Sequence, residues 1–392
     1  MSVKIFDNIT AGSAVDESIP DAMQGSRIHH LDMARAVLMT LGVVLHSAQI
    51  YNPETHWLVN SDDSFFGSSI VVSAIKLFRM PAFFVVSGFF CALTIQRYGA
   101  DRFARVRLFR ILLPFVSSLL VLNTLQAVVL VTAGSRHYDF GTYLGHSDFV
   151  SHLWFLVNLS CYFTAAWFGA RYFLGPLRRV AGVVEAWFSD QPALLVILLL
   201  PCSVFFVYAL GALGFPLNVD LHPGIVTFEL IRYVPYFLFG VAAFVSPAAR
   251  RTLLQFPAWM SVATLGVALA ASFVLRAVNV PPVVERLLEV YFHEVAIWSA
   301  VLLCFSLFRR FCDRPSTTTR FFADASYTIY LFHHCLVAAF GIVLLSLPIP
   351  PLAQFVLLVV LVFACTALIH RFFIDRVPVA RLLFNGKPST RG

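Results

Sequence analysis

The chain has 392 residues, 59% of them hydrophobic and only 12% charged, with a formal net charge of +7 at pH 7. Soluble globular domains carry about 25% charged residues, so this composition excludes an ordinary soluble domain. The positive charge falls in short stretches between apolar runs, where it sets membrane orientation, and this argues against a nucleic-acid partner.

Apolar runs of membrane-spanning length, about 20 residues each, recur at 32–51, 69–95, 111–132, 151–173, 192–213, 225–245, 258–278, 291–311, 324–347 and 352–373. They are continuous rather than alternating, which disfavours a β-barrel. The expected fold class is all-α, a polytopic membrane protein with about ten transmembrane helices around a polar cavity. Residues 1–26 read as a flexible cytoplasmic tail, 27–376 as one transmembrane domain and 377–392 as a C-terminal cytoplasmic tail. No secretory signal precedes the first run. Most loop Arg and Lys residues fall on one side, from Lys4 and Arg27 through Arg97, Arg250 and Arg310 to Lys387 and Arg391. The opposite loops carry only Arg136 and Arg286. By the positive-inside rule both termini are expected in the cytoplasm.

The first span, from Met33, carries Arg35 and His46 in an otherwise apolar run. Ionisable side chains inside a span are costly and mark functional sites by default. Eleven residues are about three turns, so the two share a helix face roughly 16 Å apart along the axis. His46 is either a general base or a polar contact between helices, and the other charges expected at its depth favour the base. Arg35 either pairs with Asp32 at the helix end or faces a substrate oxygen. Trp57, at the outer interface, is either a membrane-belt anchor or a carbohydrate platform. The second span contains Phe78-Arg-Met-Pro-Ala-Phe-Phe-Val-Val-Ser-Gly88, with Arg79 ahead of a helix-kinking Pro and Ser87 beyond it. Arg79 either pairs with a carboxylate such as Glu229 or binds an anionic substrate group.

Arg102, Arg105, Arg107 and Arg110 precede the third span. Arg107 and Arg110, three apart, fit a topology role or a grip on a multiply phosphorylated ligand such as the nucleotide of coenzyme A. Ser151-His-Leu-Trp154 opens the fourth span and poses the same choice as Trp57. Glu229 and Arg232 are i, i+3 partners on the sixth. Helix rise places Lys76, Arg79, Glu229, Arg232, His293, Glu294, His333 and His334 in one layer with His46, from mid-membrane to the outer half. Seven Cys lie in or beside apolar runs with no metal-type spacing. There is no Walker loop, HExxH or Gly-x-Ser-x-Gly, and so no sign of ATP hydrolysis or a metal.

These residues resemble the membrane acyltransferase-3 superfamily. The resemblance rests on Arg35-x10-His46, Arg107-x-x-Arg110, Phe83-Phe-Val-Val-Ser-Gly88 and Ser326-Tyr-Thr-Ile-Tyr-Leu-Phe-His333. Within it the chain is similar to the glucans biosynthesis protein C family, succinyltransferases of osmoregulated periplasmic glucans. The similarity lies in Leu45-His-Ser-Ala-Gln-Ile-Tyr51, His56-Trp-Leu-Val-Asn-Ser61, Ser151-His-Leu-Trp-Phe-Leu156, Tyr233-Val-Pro-Tyr-Phe-Leu-Phe-Gly240, Tyr330-Leu-Phe-His-His334 and Leu383-Phe-Asn-Gly-Lys-Pro388. It extends from about Arg27 to Pro388, is weak in the loops between the fourth and eighth spans, and leaves out the first 26 residues.

The resemblance implies an O-acyltransferase of the bacterial inner membrane that moves a succinyl group from cytosolic succinyl-CoA to glucan hydroxyls in the periplasm. His46 and Arg35 would be catalytic. Arg105, Arg107, Arg110, His333 and His334 would bind the donor, and Arg79, Ser87, Trp57, His152, Trp154, Glu229 and Arg232 the acyl group or acceptor. Succinyl-CoA would be a co-substrate, with no cofactor bound permanently. The expected partners are acyl-CoA, the glucan acceptor and the lipid bilayer, with oligomeric state open. Two alternatives remain: an O-acetyltransferase of another surface polysaccharide, and a transporter of an anionic metabolite. The absence of internal repeats weighs against the transporter.

Overall fold

The computed structural model describes residues 28–387 other than 192, 218, 223–224 and 314–316. The expected tail at 1–26 lies outside the described residues, as do Arg27, Arg314 and residues 388–392. Ten helical spans are long and apolar enough to cross a membrane, and the protein is a multi-pass membrane protein. In chain order they are α1 (His29–Gln49), α2 (Ser68–Tyr98), α3 (Ala100–Thr132), α4 (Ser147–Tyr172), α6 (Ala193–Ala212), α7 (Thr227–Val245), α9 (Ala258–Leu275), α10 (Pro282–Phe311), α11 (Thr319–Leu345) and α12 (Pro351–Ile374). Shorter helices lie between or after them, among them α5 (Leu174–Asp190), α8 (Pro247–Gln255) and α13 (Pro378–Asn385). The only strands among the described residues, Asp220–His222 and Ile225–Val226, form a two-stranded antiparallel pair before α7.

Burial separates the helices into two kinds. Helices α1, α2, α10 and α11 bury much of their length, and α2 lies against α1, α7 and α10 while α11 covers α1. Helices α9 and α12 instead expose Trp259, Val262, Val267, Phe273, Leu352, Val356 and Val360. Such a surface would drive aggregation in water; in hydrocarbon it is the face turned to lipid.

The tightest crossing joins α2 to α7. A Cβ on Gly88 would stand 2.0 Å from the Phe237 carbonyl oxygen, and one on Gly240 would stand 1.9 Å from that of Val85. Lipid tails supply no hydrophobic force between helices, so small residues that admit backbone contact carry such an interface. The helix α2 runs through Pro81 without a break.

Two elements differ from the sequence expectation. The Arg102–Arg110 stretch is not a loop but the first turns of α3, which begins at Ala100. The stretch from 174 to 190, expected as a loop, is helix α5, fastened by its own capping contact. Glu185 accepts from the Ser246 hydroxyl at 2.6 Å and from the Ala248 amide at 3.1 Å, at the start of α8. A carboxylate there satisfies amides that the helix itself leaves unpaired.

Candidate active site

Helix α1 carries both ends of the site. His46 is half-buried and donates from Nδ1 to Oε1 of Gln49 at 2.7 Å. An amide oxygen only accepts, so the neutral ring keeps its lone pair at Nε2. Trp57, in the segment after α1, stacks on His46 with ring centroids 5.4 Å apart. His333 and His334 of α11 approach His46 at 5.4 and 4.7 Å, and His152 of α4 stacks on His334 at 4.4 Å. Four histidines from three helices thus share one volume. Among the described residues no group of three or more His, Cys, Asp or Glu is arranged to hold a metal ion.

His333 donates from Nδ1 to the Tyr330 carbonyl at 2.6 Å, and its Nε2 is buried with no hydrogen-bond partner among the described residues. A Cβ on Gly42 would lie 2.8 Å from that Nε2 and 3.1 Å from Nη2 of Arg79. Bare backbone on α1, one turn before His46, is what lets both groups close in. Arg79 is buried and donates from Nε to the Leu38 carbonyl at 3.1 Å. Its Nη2 lies beside an unpartnered imidazole nitrogen. A buried lone pair next to a guanidinium suits a ligand that offers a hydroxyl and then develops negative charge.

His334 is held by α3 and α4. Its Nδ1 lies 2.7 Å from Oε1 of Gln126 and 3.3 Å from Oγ of Ser151. Gln126 follows a π-helical turn, Leu119–Asn123, and Asn123 donates to the carbonyls of Phe149 and Val150 at 2.7 and 3.2 Å. π-Turns inside α-helices concentrate at functional sites. Ser151 is the one non-glycine residue at positive φ among the described residues, at 49°. Strain of this kind costs about 1–3 kcal/mol and gathers where function over-determines the backbone.

The other end of α1 is cationic. Arg35 meets Asp32 at 3.5 Å and lies 5.4 Å over the ring of Phe90 on α2. Arg107 donates from Nη2 to Oγ1 of Thr94 at 2.9 Å, one turn further along α2. The Arg110 carbonyl accepts from the Tyr327 hydroxyl at 3.4 Å. Arg105 is exposed and about 200° around α3 from Arg107, so it lies apart from this group. Lys387 belongs to it. Burial holds Lys387 below the ordinary lysine range, with Asp324 opposing and Arg110, Arg381 and Arg35 adding to the depression.

The remaining expected residues lie between or beside these two ends. Ser87 is buried on α2, two turns past Arg79 toward Thr94. Trp154 stacks with Tyr233 at 5.9 Å, and Tyr233 with Phe84 at 4.9 Å. Glu229 lies 3.9 Å from Arg232, its i+3 neighbour, and the hydrogen bond of Arg79 goes to α1 backbone. Glu294 is buried and accepts from the Tyr236 hydroxyl.

His333 and His334 stand beside His46 rather than with Arg105, Arg107 and Arg110. Lys76 and His293 do not share the packed interior with His46, because both are exposed. Lys76 sits one position past the buried stripe Val72–Ile75–Arg79. A cleft of about 300 Å³ opens at the histidine end, lined by Leu58, Val59, Asn60, Ser135, Arg136, Ile342 and Leu345. Arg136 there donates to Asp148 at 3.1 Å and to the Trp57 carbonyl at 3.3 Å. Sequence reasoning missed Gln49, Gln126, Gly42 and the placement of Lys387. Gln126 had a usable signal, as one of two side-chain amides, with Asn123, inside an apolar run.

An acyltransferase domain family model matches residues 28–371 of the chain. The chain is 27% identical over 385 residues to glucans biosynthesis protein C of Salmonella heidelberg (strain SL476) and of Salmonella schwarzengrund (strain CVM19633). The alignment covers 93% of this chain and 96% of each relative. The same identity and coverage hold for glucans biosynthesis protein C of Salmonella paratyphi A (strain ATCC 9150 / SARB42). No solved structure matches the chain.

Proposed function

The chain belongs to the acyltransferase-3 family, and from that premise we propose that it is an O-succinyltransferase working across the membrane. In this reading, succinyl-CoA donates from the cytoplasmic side of a bacterial inner membrane and a hydroxyl of a periplasmic glucan accepts. The glucan acceptor is supported by relatives that carry glucans biosynthesis in their name along almost their whole length. The observation that carries the reading is the division of α1, with Arg35 among cations at one end and His46 among histidines at the other. About 16 Å separates the two along the helix, a length suited to a donor anchored by its phosphates that extends its thioester toward His46.

In the proposed mechanism, Nε2 of His46 takes the proton of the acceptor hydroxyl. The oxygen attacks the thioester carbonyl, and Arg79 stabilises the oxyanion that forms. The intermediate collapses with loss of the C–S bond, and the coenzyme A thiolate takes the proton back from His46. An ester C–O bond has then replaced the thioester. The free carboxylate of a succinyl group needs a cation when it leaves water, and Arg232, beside Tyr233 and Trp154, is the cation assigned to it. The cleft beside Trp57 is the approach for the acceptor.

The test is mass spectrometry of periplasmic glucans from cells carrying the wild-type gene, no gene, or His46→Ala. Removing a general base costs about 10²–10⁴-fold. The succinyl mass increment should therefore vanish in both altered strains, with the variant still inserted in the membrane. Succinylated glucan at the wild-type level in the His46→Ala strain would sink the base assignment. An unchanged glucan profile without the gene would sink the substrate assignment.

A further inference from the structure

The last described segment folds back onto the cationic end of the bundle, and the mechanism above makes no use of it. Helix α13 buries Ala380 and Phe384, and Phe384 meets Phe332 of α11 at 5.1 Å. Asn385 accepts from the Thr328 hydroxyl at 3.3 Å, and that hydroxyl also meets Nδ1 of His370 at 2.9 Å. Gly386 follows with φ at 59°, and a Cβ there would stand 2.7 Å from the Arg110 Cα. Both the backbone angle and this close approach require glycine. The chain is therefore clamped onto the turn of α3 that carries Arg107 and Arg110.

The next residue is Lys387, whose charge lies within reach of Arg110, Arg381 and Arg35, with Asp324 opposing. Arg107 is in turn crowded by Arg35 and Arg110. Cations from α1, α3 and the C-terminal segment thus gather in a half-buried region. Their mutual repulsion is offset in part by Asp32 against Arg35 and by Asp324, and an anion of several charges among them would offset it further. Arginine forks and a lysine point charge are the combination that takes phosphate oxygens.

We propose that Lys387, presented by the α13 clamp, completes with Arg35, Arg107 and Arg110 a polyphosphate site for the nucleotide end of the acyl-CoA donor. The inference rests on the donor reading above. It goes beyond that reading by making the C-terminal segment a wall of the donor site.

The test uses full-length protein in detergent, comparing wild type, Lys387→Gln and Lys387→Arg. Two quantities are measured: the Kd for coenzyme A by equilibrium dialysis, and the KM for acyl-CoA against that for the corresponding acyl-pantetheine, which lacks the nucleotide. Lys387→Gln is expected to weaken coenzyme A binding about tenfold, a difference of ~1.4 kcal/mol, and to raise the acyl-CoA KM in step. The acyl-pantetheine KM should not change, and Lys387→Arg should restore most of the affinity. Wild-type coenzyme A affinity in Lys387→Gln overturns the inference and leaves the donor reading standing. Equal losses on both donors also overturn it, since the effect would not pass through the phosphates. No coenzyme A binding by the wild type would overturn the donor reading and this inference together.

Discussion

His46, His333 and His334 each present Nδ1 to an oxygen that only accepts, at 2.6–2.7 Å, which puts the lone pair on Nε2 in three rings whose centroids lie 4.7–6.0 Å apart. What separates the three is what stands in front of Nε2. For His333 it is the Gly42 backbone and the Arg79 guanidinium. Gly42→Ala is therefore a sensitive probe. Alanine favours a helix by about 1 kcal/mol over glycine, so α1 itself should tolerate the change. The added methyl would overlap His333 and press on Arg79, and turnover should fall at least about tenfold, the response to a loss of ~1.4 kcal/mol in the transition state. Steady-state kinetics on folded, purified protein would show it, and wild-type kcat in that variant would contradict the placement of these two groups.

At this scale His46, Arg35 and Arg79 were legible because an ionisable group in an apolar run is conspicuous. Gly42 was not, because a glycine in a span has many uses and only the partner side chains reveal this one. His333 and His334 were visible as residues, but their company was not. Linear depth places them near His46, and only the packing of α11 on α1 brings their rings to 5.4 and 4.7 Å.

Among the helices, the α2–α7 crossing fixes where Arg79 and Ser87 on one side stand relative to Arg232 and Tyr233 on the other. The interface is backbone against backbone, with would-be Cβ contacts of 1.9 and 2.0 Å at Gly240 and Gly88. Gly240→Ala must drive the helices apart, and overpacking of this kind typically costs about 1–3 kcal/mol. The expected outcome is a lower unfolding midpoint in detergent and reduced membrane yield. A midpoint equal to wild type would mean that the crossing is looser than described. The spans themselves were readable, because a bilayer demands long apolar runs and the observed ends fall within a few residues of them for most helices. Helices α3 and α10 are exceptions, since α3 begins at Ala100 with the Arg102–Arg110 stretch and α10 at Pro282 with the charged Glu285 and Arg286, each before its apolar part. Helix α5 was hidden for a related reason: it is short, carries Arg179 and Glu185, and holds its place through Glu185 capping α8. No hydropathy window reports a capping contact between distant segments.

For the whole molecule the claim is one of direction. If charge asymmetry orients the chain as expected, Asp139, near Arg136, and Ser189, at the end of α5, face opposite compartments. Both residues are exposed. In a background with the native cysteines replaced, Asp139→Cys should react with an impermeant thiol reagent added to intact cells from the periplasmic side, and Ser189→Cys only after lysis. Labelling of both from the same side would reverse or dissolve the orientation. In the proposed function the two-ended division of α1 would then be a route between compartments, with phosphates held at Arg35, Arg107 and Arg110 and the acyl group delivered to His46. The measurement that tests this most directly is acyl transfer in proteoliposomes of defined orientation, with succinyl-CoA confined to one compartment and glucan to the other. Succinylated glucan should form only when the donor is on the Arg35 side and the acceptor on the His46 side, and not with His46→Ala. Product formed equally well with donor and acceptor together on the His46 side, or undiminished in His46→Ala, would contradict it.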